Sequence, residues 1–192
     1  MRIGRRTTVV GCLLALLLGA AACDTGAAAP PVAGSTAPSG AGRFGGTDLA
    51  WVEINIAMNE ELLPLLELVA THSSSAETKA LAAEVAALND QELSALRGLH
   101  DQAGLPAENP HKGMPMPGMV TPELVTQAAA VRGATFDRLL AAHLKAHFEQ
   151  GVRLAESEAK AGVEPETKAL ATRVISGRER HLPRLAAIRR AL

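Results

Sequence analysis

The hexapeptide Glu77-Thr78-Lys79-Ala80-Leu81-Ala82 returns unchanged as Glu166-Thr167-Lys168-Ala169-Leu170-Ala171, 89 positions further along the chain. The same offset pairs Asp48 with Asp137, Ala57 with Ala146, Glu60 with Glu149 and Glu67 with Glu156. It continues without a gap through Val85 with Val174, Leu93 with Leu182 and Leu96 with Leu185. Residues 47–96 and 136–185 therefore read as two copies of one unit, and whatever fold the first copy adopts the second must adopt as well.

Each copy has the pattern of a helical hairpin. Trp51, Ile54, Met58, Leu62, Leu65 and Val69 recur every three or four residues, the spacing that lines one face of a helix. Ser74-Ser75-Ala76-Glu77 has the form of a capping box and predicts the start of a second helix. That helix carries Leu81, Val85, Leu88, Ala95 and Leu99 on its apolar side and ends at Gly104-Leu105-Pro106. Pro64 predicts a kink in the first helix, because it lacks an N–H and crowds the carbonyl four residues back. In the second copy Phe136, Leu140, His143, His147 and Leu154 form a stripe, Gly162 breaks the chain, and Pro165 suits the first turn of a last helix. Thr121-Pro122-Glu123 opens a short connecting helix. The expected architecture is all-α: a four-helix bundle of two hairpins joined by a long connection.

The N-terminal end has the pattern of an export signal. Arg2, Arg5 and Arg6 precede an apolar run from Val9 to Leu18 and then Gly19-Ala20-Ala21-Ala22-Cys23. The run is shorter than the roughly 20 apolar residues of a membrane-spanning helix. Small residues before Cys23 resemble a bacterial lipobox, which predicts cleavage after Ala22 and lipid on Cys23. The expected division is a leader over 1–22, a lipidated Cys23 with a flexible tether over 23–46, and one helical domain over 47–190. The tether has almost no large apolar side chain to fold around and spans about 25–30 Å. With Cys12 lost and Cys23 acylated, the mature domain has no thiol for catalysis, disulfides or zinc. The precursor carries a formal charge of −1, and loss of the leader's three arginines takes it to about −4. With no basic surplus and almost no aromatic side chains for stacking, nucleic acid is not an expected partner. The expected location is the extracytoplasmic face of a membrane.

Three sets of residues together resemble a known family. They are Met116-Pro117-Gly118-Met119-Val120-Thr121, then Phe136-Asp137-Arg138-Leu139-Leu140, then the second hexapeptide followed by Val174. The family is the one called domain of unknown function 305. The resemblance implies a ferritin-like fold and an exported or lipid-anchored protein. It also implies a His-His pair in the first helix of each hairpin, and copper binding for some members. At those places this chain has Met58-Asn59 and His147-Phe148, so one of four imidazoles is present.

Other soft donors remain. His143 and His147 are one helical turn apart and share a face, and the duplication sets Met58 against His147. His111, Met114, Met116 and Met119 form H-x2-M-x-M-x2-M in a stretch rich in Pro and Gly. Imidazole and thioether suit copper better than calcium or magnesium. The candidate metal residues are thus His143, His147, Met58, His111, Met114, Met116 and Met119, with copper the candidate ion. The same residues also suit plain packing roles, Met as an adaptable filler and His as a satisfied core side chain. Glu60, Glu61 and Glu149 lie beside the former His-His places. A di-iron oxidase needs Glu-x-x-His on two helices, and the chain's Glu108-to-His111 example lies in the loop. No enzyme is expected. Two readings stay open: a copper-binding lipoprotein, or a structural or partner-binding one that has lost its metal.

Overall fold

A computed structural model describes residues 42–191. The expected leader, Cys23 and the expected tether as far as residue 41 lie outside these residues. Six helical segments follow one another: α1 Gly46–Glu67, α2 Val69–His72, α3 Ala76–Ala103, α4 Pro122–Ala129, α5 Gly133–Ala161 and α6 Pro165–Ala191. Among the described residues there is no strand.

Local chemistry sets the boundaries. The α3 cap is Ser75, one residue beyond the first serine of the expected box, and its hydroxyl accepts the Thr78 N–H at 3.1 Å. Gly104 ends α3 in the left-handed region at φ 67°, where glycine avoids the Cβ penalty. Thr121 caps α4 ahead of Pro122. Glu164 caps α6, accepting the Thr167 N–H at 2.6 Å and the Thr167 hydroxyl at 2.9 Å. Pro64 sits inside α1, and the helix is interrupted one turn later at Leu68 before the single turn of α2.

α1 packs on α3 and α5 packs on α6, forming the two hairpins. The hairpins then meet through equivalent helices, α1 against α5 and α3 against α6. This is the ferritin-like four-helix bundle that the duplication calls for. Two apolar cores stack along it. One gathers Leu62, Leu65, Leu81, Val85, Phe136, Leu140, Leu144 and Leu185. The other gathers Phe44, Trp51, Val52, Leu96, Leu99, Leu170 and Val174. Each such side chain, fully buried, contributes roughly 1.5–3 kcal/mol. Phe44 already belongs to this core, so packing begins a few residues ahead of the domain start expected from composition. Between the cores, where α1 reaches residue 59 and α6 residue 178, the interior turns polar.

Candidate functional site

The polar layer is built around Arg178, which is 1% exposed. Its Nη2 donates to Glu92 Oε2 at 2.6 Å and to Asn59 Oδ1 at 2.9 Å, and its Nε donates to Glu92 Oε1 at 3.3 Å. Asn59 closes the network by donating to Glu92 Oε2 at 3.1 Å. Asn89 joins through a bond to the Asn59 carbonyl. The guanidinium lies 6.0 Å from the centre of the Phe148 ring. Gly151 leaves its space: a Cβ there would fall 1.4 Å from Nη1. The repeat offset sets Asn59 against Phe148, Asn89 against Arg178 and Glu92 against His181, so the layer's residues differ between the two copies.

Next to the layer lies the Met-bearing loop. Asn109 ties it to α1 through the Glu53 carbonyl at 2.8 Å. Gly113 N–H donates to Glu61 Oε1. Gly118 then presses on α5 at φ 79°; a Cβ there would lie 2.6 Å from Gln150 Cβ and 2.8 Å from the Ala146 carbonyl. This close approach puts the Gly118 carbonyl 3.2 Å from His147 Nδ1. The carbonyl can only accept, so Nδ1 carries the hydrogen and Nε2 the lone pair. Burial, then the Arg178 charge, hold the His147 pKa down at about 3 against the opposing Gly118 bond. The ring is neutral at ordinary pH.

Of the residues singled out from sequence, Met58, Met119 and Met116 come together. Met58 and Met119 are buried in one cluster with Ala57, and Met116 packs against it beside Ile54 and Leu154. His147, joined to the loop through Gly118, borders the same region. His143 lies one turn earlier on α5, half-buried, with its pKa lowered by burial. Met114 is 42% exposed. His111 sits apart, with Nε2 3.9 Å from Glu53 Oε2. Among the described residues no three His, Cys, Asp or Glu side chains gather as a metal set. The soft donors at this place are thioethers and one imidazole.

Four imidazoles in His-His pairs do not fit here. Asn59 is engaged with Glu92 and Arg178, Phe148 is an apolar ring, and a guanidinium already supplies interior positive charge. A thioether set with His147 does fit a soft monovalent ion, since neutral donors need no deprotonation. The polar layer itself was missed from sequence. A signal existed: Arg178 falls four residues after Val174 and four before Leu182, on an apolar stripe. Glu92 likewise falls four after Leu88 and four before Leu96.

The family description "Domain of unknown function (DUF305)" matches residues 51–189. Two solved structures share the fold. One, described as "putative secreted protein DUF305" from Streptomyces coelicolor, has a TM-score of 0.66 at 19% identity, covering 74% of this chain and 91% of that one. The other, a DUF305 fragment from Deinococcus radiodurans, has a TM-score of 0.69 at 14% identity, covering 78% of this chain and 99% of that one. No curated protein matches the chain.

Proposed function

The chain belongs to the DUF305 family, and on that premise we propose that it is an exported, lipid-anchored protein that captures Cu(I) through thioethers, without catalysis. Met58, Met116 and Met119 are the inner donors, His147 Nε2 is the imidazole donor, and exposed Met114 is the first sulfur an incoming ion meets. His143, half-buried one turn before His147, flanks this path, and His111 stays outside the donor set beside Glu53. The convergence of three methionines, drawn from a helix and a loop, beside a ring fixed in one tautomer carries this reading. Bound copper would be held as a soft monovalent cation; the protein orients the donors, excludes water through the loop and keeps His147 unprotonated. Export is supported by the basic start, the apolar run and the small residues before Cys23, and by the word "secreted" in the description of the Streptomyces neighbour.

Titration of Cu(I) into the full chain against a competing chelator tests the copper reading. One bound ion is expected, with affinity falling at least tenfold, or about 1.4 kcal/mol, when Met58 and Met119 are both changed to Leu. An unchanged affinity in that variant, or no uptake at micromolar copper, overturns it. The second reading, a lipoprotein without a metal, is favoured by one observation: the Arg178–Glu92 pair satisfies the interior with a cation of its own. Full stability of the chain in strong copper chelator, together with a null titration, is the outcome it expects.

A further inference from the structure

Away from the methionines, at the end of the bundle where the described chain begins, two carboxyl groups meet in the interior. Asp48, third residue of α1, and Glu158, in the last turn of α5, are both fully buried. Asp48 is well supplied with donors. Its oxygens accept the Gly45 N–H at 2.7 Å, the Val163 N–H at 3.0 Å and the Glu164 N–H at 3.0 Å. Glu158 has none: neither side-chain oxygen receives a donor from any other group, and the polar group it does meet is the Asp48 carboxyl. Two ionised carboxylates offer each other only lone pairs, so their contact is favourable only if one holds a proton. Three amide dipoles favour charge on Asp48, which leaves the proton to Glu158.

The surroundings agree. Glu158 folds back over the helix end, where a Cβ on Gly162 would fall 2.0 Å from Oε1. The charged groups facing it are Asp48 from α1, Glu164 from the α5–α6 turn and Lys168 from α6. Glu164 is itself held by Thr167 and by Arg43 at 3.2 Å. In the other copy of the repeat the position of Glu158 is Val69, an apolar side chain that is also buried, so the second acid is particular to this end.

We propose that Glu158 is protonated in the folded protein and donates its hydrogen to Asp48, so that one shared proton latches the head of α1 to the α5–α6 turn. Burial, then the bond to Asp48 and its charge, push Glu158 up to about 8. Burial alone would raise Asp48 too, but the bonds from Glu158 and from the Glu164, Gly45 and Val163 amides outweigh it and hold Asp48 below its usual range. The sign follows from linkage. Between the ordinary pKa of 4.5 and about 8 the folded state binds the proton and the unfolded state does not, so stability from the latch is full below that window and is lost as pH rises through it.

Thermal unfolding of the full chain from pH 5 to pH 9, alongside Glu158→Gln, tests this. Gln donates an N–H to Asp48 without titrating. The wild-type midpoint should fall relative to the variant as pH rises, with the difference levelling near pH 8; other titrating groups cancel in the comparison. Parallel curves overturn the proposal. Should the variant fail to fold, carbon-13 carboxyl titration of the wild type decides alone. One glutamate titrating near 8 supports the latch, and all glutamates titrating near 4–5 sinks it. Exchange of the Val163 and Glu164 amides should also accelerate above pH 8 beyond the ordinary base-catalysed trend.

Discussion

Arg178 brings its charge into the middle of the bundle, where Glu92 and Asn59 bind it and its charge helps keep His147 neutral. Breaking a buried ion pair from one side leaves the other charge stranded, at roughly 3–5 kcal/mol, whereas replacing both partners by apolar groups is often neutral. Arg178→Met should therefore destabilise strongly and Arg178→Met with Glu92→Leu much less, as read by urea unfolding. Equal losses in the two variants would mean that Glu92 is not stranded. Gly151→Ala should approach the single variant in severity, because the added methyl takes the place of Nη1. At this scale the sequence was half legible. A charge on an apolar stripe at positions 92 and 178 marks something unusual. That Glu92 and Arg178 meet each other, 86 residues apart, and recruit Asn59, is a fact of packing that no local spacing encodes.

Among the elements, the helices were readable because their causes are local: a three-to-four residue apolar period, a serine or threonine cap, a proline in a first turn, a glycine beyond a last one. The shift of the α3 cap from Ser74 to Ser75 is the size of error that adjacent serines allow. The segment from Gly104 to Thr121 was different. Composition marked it as a loop with sulfur, but its course depends on anchors in other elements, Glu53 and Glu61 on α1 and His147 on α5. Gly118 is the point of closest approach, and its positive φ and the nearby α5 backbone both exclude a side chain. Gly118→Ala should lift the loop, raising amide exchange at Gly113 and Met119 while leaving helical circular dichroism intact. If the loop methionines are copper donors, the same change should weaken Cu(I) binding by about tenfold. Unaltered exchange would mean the loop is held elsewhere.

As a whole, the bundle shares each of its two apolar cores and its polar layer between both hairpins, so neither hairpin has an interior of its own. Unfolding should accordingly be two-state. The chain has one tryptophan, and Trp51 lies in the core shared by α1, α3, α5 and α6. Its fluorescence and the far-ultraviolet circular dichroism should lose signal at the same denaturant concentration; separated midpoints would show that the hairpins come apart independently. The sequence by itself determined the duplication, the four long helices, their apolar faces and hence the pairing of hairpins, because periodicity and capping act between residues a few positions apart. Which polar groups meet inside was decided only by the tertiary structure. Asn59 with Glu92 and Arg178, Asp48 with Glu158, and Gly118 with His147 are contacts between separate elements. Their strength comes from burial away from water, a condition that exists only once the helices have packed.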